Sequence, residues 1–554
     1  MKKIVLTLTL ILAISFSAYS QLSTKQMPRS FKMDVSVKNI PTQKLQEPDV
    51  DALLSEDEEY ANSNLFKMQR CAAIIPFGHD LLKDAMHISL PEADMYLLRV
   101  NIPYAQALNI YSENFYIPKG GELYLWNSDK TKVLGAFTSD NNREDRVFAS
   151  DYVYGEDIII EYYQPKTVSE KASIEISELA YFYRDVINFE EEKANSDEYR
   201  SSGSCNVNAN CSEGNDYRDI QRSECRIFVY MGSYGAWCSG TLVNNTAQDR
   251  KPYILTAGHC LQYSTSTSYF SHFIFYFNYQ TNGCSTPSSE PSYTSLSGCT
   301  RLTYDNSYGE SNSDYALLKL SNNVPESVNP FWAGWTRSTT ASAGGVGFHH
   351  PSGDVKKIST FTATPTTSAY NGSSTAYHWK VKWVQTTNGF GITEGGSSGS
   401  GLFNKDHLLF GTLTGGYSSC NTDNSYKIDW YGKMDKHWSH ISQWLDPSNT
   451  GVTTLAGRNY VLDTISGLEE IDASSLSLSV YPVPAKDEVT VSVEGCKDKA
   501  VLAVMDYVGR TVLSTEIPAR ENTISLNLNS LEAGTYFVRL YSNKNSIVKK
   551  ITKE

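Results

Sequence analysis

The sequence predicts an all-β protein built from several folded units. Aromatic residues make up 12% of the chain and are supplied largely by 36 tyrosines, a residue type enriched in strands. Short apolar runs recur between turn residues. At roughly 150 residues per domain, the 554 residues correspond to three or four units.

Composition and charge narrow the function classes. The chain is 40% hydrophobic and 20% charged, which is ordinary for globular proteins. Its 48 Lys and Arg against 61 Asp and Glu leave a net charge of −13. Because no overall basic surface results, we expect no nucleic-acid partner.

The first twenty residues have the pattern of a secretory signal peptide. Lys2-Lys3 precedes an apolar run from residue 4 to 14, and Ala18-Tyr19-Ser20 forms a small-x-small cleavage site. The run is short for a membrane span, so residues 1–20 are predicted to be removed and the mature chain to begin at Gln21. Export would bring the cysteines into an oxidising compartment.

Residues 21–200 are predicted to form a pro-region. Its acidic start, residues 22–60, is expected to be a mobile entry segment. A β-sandwich is expected from about 65 to 185, and an exposed linker from Glu190 to Gly203. The expected strands of the sandwich are Met95–Val100, Ala107–Tyr111, Glu122–Trp126 and Ile158–Tyr163.

Residues 201–457 hold eight of the ten cysteines and one clear helix. Trp438, Ile441, Trp444 and Leu445 have helical spacing, and Asp446-Pro447 ends the helix. Residues 458–475 are expected to be a linker, and 476–554 a compact β-sandwich. Its six expected strands are 476–481, 489–493, 501–505, 511–515, 523–528 and 535–540.

Three residues of the middle region form a candidate catalytic set. His259 follows an apolar strand, Asp314 stands at the mouth of another, and Ser398 lies among glycines that let the backbone turn and aim N–H groups at an oxyanion. Each motif alone is more often structural. Together they supply a nucleophile, a base and an orienting carboxylate, in the order His, Asp, Ser.

Metal catalysis has no comparable pattern. The sequence has no HExxH motif, and the neighbours His349 and His350 would point to opposite faces of a strand. We therefore expect neither a metal nor another cofactor.

Six further motifs lie between residue 204 and about residue 450: Ser239–Thr246, Thr256–Cys260, Phe331–Trp335, His349–Pro351, Thr393–Ser400 and Gly415–Cys420. In these motifs the segment resembles the secreted lysyl endopeptidases. The resemblance implies a chymotrypsin-like fold of two antiparallel β-barrels with the active site between them, and cleavage after lysine.

The resemblance implies a role for each candidate residue. His259 would be the general base, Asp314 its orienting partner and Ser398 the nucleophile, with the N–H groups of Gly396 and Ser398 as the oxyanion hole. Asp429 would bind the lysine ammonium. The substrate-binding positions are expected to include Thr414, Gly415, Gly416 and Tyr370.

Two of these positions depart from the family pattern. Thr414 stands where the best-known members have a histidine, and Tyr370 where they have a stacking tryptophan. The departures leave some cleavage after arginine open.

The family pattern also implies disulfide pairs. From the residues alone, eight cysteines allow 105 connectivities. The resemblance implies Cys205–Cys420, Cys211–Cys284 and Cys238–Cys260, which leaves Cys225 and Cys299 as an additional hypothetical pair. Cys71 and Cys496 are expected to be free or buried singly.

Proteolytic processing is expected at Arg200/Ser201, with Lys193 as the autolytic alternative.

The terminal unit contains four further motifs, Val480–Pro484, Val508–Arg510, Leu531–Tyr536 and Val548–Ile551. In these motifs it resembles the C-terminal sorting domain of type IX secretion, with a carbohydrate- or protein-binding sandwich as the alternative. The resemblance implies the secretion machinery as a partner and transport across the outer membrane to the medium or cell surface.

The sequence therefore predicts an exported, monomeric zymogen of a serine endopeptidase. Residues 21 to about 200 would assist folding and block the cleft until release. The substrates would be proteins or peptides with lysine at the cleaved position. The alternative is a catalytically inactive, protease-like adhesin or binding protein.

Overall fold

A computed structural model describes the chain in two compact units, one ending at Gly457 and one beginning at Arg458. The described residues are 26–33, 35–63, 66–184, 202–285, 290–307, 311–370, 372–460, 477–494, 500–506, 511–518, 523–542 and 546–554. The predicted all-β class is confirmed, since strands dominate both units. Within these ranges no helix has the length and apolar character that a membrane crossing requires.

Some sequence predictions lie outside the described residues. These are the signal peptide with Gln21, the processing positions Lys193, Arg200 and Ser201, most of the linker 458–475, Cys496 and Val508–Arg510.

The N-terminal region is a β-sandwich. One sheet has the order β1-β4-β10-β6-β7 with β3 beside β4, and the facing sheet contains β2-β11-β5-β8. Buried Leu98 and Ile160 from the first sheet share a core with Ile110 and Leu179 from the second. The elements are β1 (Thr42–Lys44), α1 (Val50–Ser63), β2 (Gln69–Asp80), α2 (Leu81–Asp84), β3 (Met86–Ser89), β4 (Ala93–Asn101), β5 (Ala107–Tyr116), β6 (Glu122–Trp126), β7 (Val133–Phe137), β8 (Phe148–Ala149), β9 (Val153–Tyr154), β10 (Asp157–Pro165) and β11 (Ser173–Phe182).

The acidic entry segment ends in helix α1, which packs on the sandwich and corrects the expectation that the whole segment is mobile. In α1, Leu53 packs into the sandwich core. Asp57 is buried and accepts hydrogen bonds from Arg70, from Tyr183 Oη at 2.8 Å and from Arg184 Nη2 at 2.9 Å. The sequence pattern indicated solvation because most of the other acidic residues of α1 face water, while the partners of Asp57 come from distant strands.

Strand β2 joins the sandwich to the middle region. One edge of β2 pairs antiparallel with β11, and its other edge pairs antiparallel with β14, where Gln69 lies opposite Trp237 and Ala73 opposite Tyr234. Among the described residues, these strands belong to one twelve-stranded sheet. The two regions are therefore held together by main-chain hydrogen bonds as well as by side-chain packing.

The described residues of the middle region form two mainly antiparallel strand systems, as the two-barrel prediction requires. The first contains β13–β19, and the second follows the order β12-β23-β22-β26-β27-β28-β25-β24 with β21 beside β27. The elements are β12 (Val207–Asn208), α3 (Arg218–Gln221), β13 (Glu224–Tyr230), β14 (Tyr234–Val243), β15 (Tyr253–Thr256), β16 (Ile274–Phe277), β17 (Thr294–Ser297), β18 (Cys299–Tyr304), β19 (Ala316–Leu320), β20 (Phe331–Trp332), β21 (Gly334–Thr336), β22 (Gly345–His349), β23 (Lys357–Phe361), β24 (Thr366–Ser368), β25 (His378–Lys382), β26 (Gly401–Asn404), β27 (Leu408–Gly416), β28 (Ile428–Lys433), α4 (Met434–Leu445) and β29 (Thr454–Leu455).

All three disulfides that the resemblance implies are present in the described residues. They join Cys205 to Cys420, Cys211 to Cys284 and Cys238 to Cys260.

The hypothetical pair of Cys225 and Cys299 is wrong, because both are free, buried thiols. Cys225 lies on β13, which pairs with β14 and β16, whereas Cys299 begins β18, which pairs with β19. The two strands are not neighbours, and the thiols donate instead to the carbonyls of Gly240 and Phe270. Cys71 is likewise free and buried.

Within its described residues, the second unit contains two small antiparallel sheets. The orders are β31-β32-β35 and β34-β33-β36-β37, and Val491 and Leu540 lie in one buried cluster. The basic ending forms β37, which the sequence analysis did not assign to a strand. The elements are β30 (Arg458–Asn459), β31 (Ser477–Tyr481), β32 (Glu488–Glu494), β33 (Ala500–Met505), β34 (Thr511–Ile517), β35 (Thr523–Asn527), β36 (Gly534–Ser542) and β37 (Ser546–Lys553).

The buried carboxylate of α1 gives a test of this fold. Asp57→Ala is expected to lower the free energy of unfolding by about 3 kcal/mol, because it removes the buried carboxylate that Arg70 and Arg184 share. Thermal and urea unfolding of the full chain would measure the loss. Glu58→Ala, an exposed residue of the same helix, is the control and should change stability by less than about 0.5 kcal/mol. Equal stability of the two variants would contradict the assigned role of Asp57.

Candidate active site

Three predicted residues meet between the two strand systems of the middle region. His259 Nδ1 lies 2.7 Å from Asp314 Oδ2, and His259 Nε2 lies 2.6 Å from Ser398 Oγ. The main-chain N–H of His259 donates to Asp314 Oδ1 at 2.9 Å. All three residues are fully buried. The imidazole is thus held between a carboxylate and a hydroxyl with one ring nitrogen facing each.

The loop conformations around His259 and Asp314 fix their side chains. β15 ends at Thr256, a 3₁₀ turn begins at His259, and the Cys238–Cys260 disulfide ties that turn to β14. Asp314 has φ +53°, a conformation in which aspartate is tolerated better than most residues. Its N–H donates to Asp305 Oδ2 at 2.9 Å, which stabilises the turn.

The pKa of Asp314 is lowered despite its burial. Burial alone would raise this pKa. The positive charge of protonated His259 and the hydrogen bonds that His259 donates lower it by more than burial raises it. Asp314 is therefore ionised at neutral pH. An ionised carboxylate beside Nδ1 keeps the proton on that nitrogen and leaves Nε2 free to accept the Ser398 proton.

The loop that carries Ser398 requires glycine at two positions. Gly396 has φ +92° and Gly399 has φ +84°. A Cβ atom on Gly396 would lie 2.6 Å from His350 O, and one on Gly399 would lie 2.5 Å from Ser239 O. The loop consequently packs against its supports, and Ser239 Oγ donates to Gly396 O at 2.9 Å.

The N–H of Ser398, one of the two predicted oxyanion-hole donors, has an acceptor in this structure. It donates to the main-chain carbonyl of Lys67 at 3.0 Å. A carbonyl at this position is where a scissile carbonyl would stand, since the donor belongs to the same residue as the candidate nucleophile.

Asp429, the predicted lysine-binding residue, is bonded to Thr393, which precedes the loop that carries Ser398. It is fully buried on β28. Its Oδ2 accepts from Trp383 Nε1 at 2.5 Å, Thr393 Oγ1 at 2.7 Å and Ser418 Oγ at 2.6 Å. These donors are neutral, so they orient the carboxylate without cancelling its charge. A buried anion held in this way favours a cationic ligand.

The four predicted substrate-binding positions differ in their surroundings. A Cβ atom on Gly416 would lie 2.2 Å from Asp429 Oδ1, so only glycine leaves Asp429 accessible there. Gly415 forms an antiparallel bridge with Phe66. Thr414 is buried, and the Tyr370 ring lies 6.1 Å from the Phe66 ring. The site thus brings the predicted substrate positions close to a segment of the N-terminal region.

Sequence analysis missed Phe66, Lys67, Ser418 and Trp383 as site residues. Lys67 Nζ donates to Ser418 O at 2.9 Å, and the Phe66 ring stacks on His259 with centroids 4.2 Å apart. Both residues belong to the N-terminal region, where no local motif distinguishes them from an ordinary exposed pair. Within the described ranges, no cluster of three or more His, Cys, Asp or Glu side chains could hold a metal ion.

Two family models match parts of the chain. Residues 199–432 match the model described as lysyl endopeptidase, C-terminal domain, and residues 479–554 match the secretion system C-terminal sorting domain. A lysyl endopeptidase of Pseudomonas aeruginosa is 28% identical over 261 residues, which covers 45% of this chain and 54% of that protein. The chain thus spans about half the length of the curated relative it matches.

Solved structures also align with part of the chain. Human heparin binding protein is 15% identical with a TM-score of 0.28, covering 41% of this chain and 92% of that one. The protease Anisep from Arthrobacter nicotinovorans is 18% identical with a TM-score of 0.29, covering 40% and 95%. A Glu endopeptidase in complex with MPD is 17% identical with a TM-score of 0.27, covering 44% and 97%.

The predicted family resemblances are confirmed for both segments. Residues 199–432 are similar to the lysyl endopeptidase C-terminal domain, and residues 479–554 are similar to the secretion system C-terminal sorting domain.

Proposed function

We propose that this chain is the precursor of an exported serine endopeptidase that hydrolyses peptide bonds on the carboxyl side of lysine. The observation that carries the proposal is the arrangement of His259 between Asp314 and Ser398, at 2.7 and 2.6 Å. The match to the lysyl endopeptidase domain supports it.

The contacts of His259 with Asp314 and Ser398 support acyl transfer. Ser398 Oγ attacks the scissile carbonyl while its proton passes to His259 Nε2. The negative charge that develops on the carbonyl oxygen is stabilised by the Ser398 N–H, and the N–H of Gly396 is the second donor of the proposed hole. The imidazolium then gives its proton to the leaving amine. Asp314 stabilises the imidazolium and keeps its orientation.

The acyl-enzyme is hydrolysed by the same groups in reverse. His259 takes a proton from water, the water oxygen attacks the ester, and Ser398 recovers its proton as the acid product leaves. The same imidazole serves as base and then as acid in both halves of the reaction.

Lysine preference is supported by the chemistry of the pocket. Asp429 is buried and surrounded by neutral donors, so binding an extended ammonium gives it the charge partner it otherwise lacks. An apolar side chain in the same pocket would leave that carboxylate without a counter-charge, which costs free energy. Gly416 keeps the approach to Asp429 open.

Export is supported by the C-terminal sorting domain and by the predicted signal peptide. We propose that the sorting domain directs the chain to the secretion machinery, with release to the medium or retention at the cell surface as the end point. Peptides and proteins are then the substrates the enzyme meets outside the cell.

The triad can be tested by single substitutions. Ser398→Ala should lower kcat for a lysyl peptide by about 10⁶-fold, and Asp314→Asn by about 10⁴-fold, because the second variant keeps the nucleophile but loses the fixed tautomer. Purified mature enzyme and chromogenic lysyl substrates would provide the rates. Activity of Ser398→Ala close to that of the parent would remove Ser398 as the nucleophile.

The role of Asp429 can be tested by selectivity. Asp429→Asn should lower kcat/KM for lysyl peptides by about 10³-fold, because it removes the charge partner of a buried ammonium. Peptides with norleucine, which has a similar apolar chain and no charge, should lose far less. Asp435→Asn, a carboxylate of α4 paired with Lys433 and Lys436, is the control. Equal losses for the two substrates would take Asp429 out of the pocket.

Gly416 offers a steric test of the same pocket. Gly416→Ala should raise KM for lysyl peptides, because the added Cβ competes for the space beside Asp429 Oδ1. Gly283→Ala is the control, since a Cβ there meets nothing within 4 Å. An unchanged KM in Gly416→Ala would mean that lysine does not pass this residue.

A further inference from the structure

The segment from Phe66 to Arg70 crosses the active-site cleft in an extended conformation. Phe66 forms an antiparallel bridge with Gly415 at the end of β27. Gln69 and Arg70 pair antiparallel with Trp237 and Ala236 of β14. The segment therefore pairs with both walls of the cleft, through a single bridge to β27 and through strand β2 to β14. An extended peptide is held in this way when main-chain hydrogen bonds supply its affinity.

Lys67 stands at the catalytic serine within this segment. Its carbonyl oxygen accepts from the Ser398 N–H at 3.0 Å, and Ser398 Oγ in turn lies 2.6 Å from His259 Nε2. The peptide bond between Lys67 and Met68 thus occupies the position of a bond about to be attacked.

The Lys67 side chain lies in the pocket that contains Asp429. Its Nζ donates to Ser418 O at 2.9 Å, and Ser418 Oγ donates to Asp429 Oδ2 at 2.6 Å. Burial lowers the pKa of Lys67, and the negative charges of Asp429 and Glu394 oppose that decrease. The cation that the buried Asp429 favours is consequently supplied by the chain itself.

Phe66 covers the catalytic base. Its ring is parallel to the His259 imidazole, with an interplanar angle of 3° and centroids 4.2 Å apart. His259 and Ser398 are fully buried in this arrangement, so a second peptide has no route to them while the segment remains in place.

Structure on both sides of the segment holds it there. On the carboxyl side, β2 continues between β14 and β11, and Arg70 is bonded to Asp57 of α1. On the amino side, α1 contacts the middle region through a hydrogen bond from Gln262 Nε2 to Tyr60 Oη at 2.6 Å. Met68 is therefore anchored directly to strand β2.

We propose that Lys67 is the specificity residue of a substrate-like inhibitor built into this chain, through which the N-terminal region fills the lysine pocket and blocks the active site. This inference rests on the proposed function. It assigns an inhibitory activity to residues 26–184. This region presents a lysine side chain to a protease active site that has an anionic pocket.

The anchoring of Met68 explains how a substrate-like segment inhibits. Attack by Ser398 Oγ on the Lys67 carbonyl forms an ester, breaks the bond to Met68 N and transfers the serine proton through His259 to that nitrogen. Because β2 keeps the Met68 amine beside the ester, the amine attacks the ester and re-forms the peptide bond in competition with water. The segment is then released slowly even when it is cut.

Labelling of the serine tests the proposal in the full chain. A small neutral fluorophosphonate, which forms a bond to Ser398 Oγ and releases fluoride, should label Lys67→Ala at least tenfold faster than the parent chain. Lys132→Ala is the control: Lys132 also lies between the two regions, bonded to Glu290 and Tyr293, but away from the pocket. It should label at the parent rate, with intact mass and thermal unfolding reporting that each chain is whole and folded.

A second measurement leaves Lys67 in place. In the Ser398→Ala chain, which cannot cut itself, brief acetic anhydride treatment followed by peptide mass mapping should acetylate Lys67 at least tenfold more slowly than Lys83, whose side chain is 78% exposed. Addition of Asp429→Asn should narrow that difference, because it removes the pocket's counter-charge.

The outcomes distinguish a failure of the inhibitor proposal from a failure of the proposed function. Equal labelling rates of the parent and Lys67→Ala chains, or acetylation of Lys67 as fast as that of Lys83, would overturn the inhibitor and leave the proposed function in place. An absence of labelling in every chain that keeps Ser398 would remove the proposed function and, with it, the inhibitor.

Discussion

The structure depends above all on the register between β2 and β14. Main-chain hydrogen bonds set Gln69 opposite Trp237 and so bind the N-terminal sandwich to the catalytic strands. This register determines that Lys67, two positions before Gln69, is the residue whose carbonyl group reaches Ser398. A shift by one residue would turn the alternate side chains to the opposite face, and Lys67 would no longer enter the pocket. One strand pairing thus couples the fold of the N-terminal region to the occupancy of the active site.

Two buried aspartates of the middle region have opposite electrostatic arrangements. The charge of Asp314 has its partner within the site, because His259 bonds to both carboxylate oxygens. Asp429 is held by Trp383, Thr393 and Ser418, which are all neutral. The first arrangement suits the proton transfer proposed for His259, whereas the second suits the proposed binding of a cationic side chain by Asp429. The difference lies in the partners, since both carboxylates are fully buried.

The sequence was most informative where local patterns decide the structure. β6 occupies the predicted residues 122–126, and α4 ends at Leu445 before the predicted Asp446-Pro447 stop. His259, Asp314 and Ser398 were singled out by motifs, and the structure brings them together, although their roles remain a proposal. The sequence failed where distant contacts decide. α1 is ordered by arginines from other elements, Cys225 and Cys299 lie on strands that are not neighbours, and Lys67 is distinguished only by the strand register that carries it to the serine.

Because Lys67 and Asp429 belong to one chain, the concentration of the Lys67 segment at the active site does not depend on the concentration of the protein. In the proposed inhibition, every molecule carries one inhibitory segment for one active site, and the tether gives that segment an effective local concentration on the order of millimolar. Dilution after export would therefore not relieve the block, in contrast to a separate inhibitor, which dissociates as the volume grows. The proposed activity outside the cell would then follow the rate at which covalent bonds of the N-terminal region are cut, and not the amount of protein released.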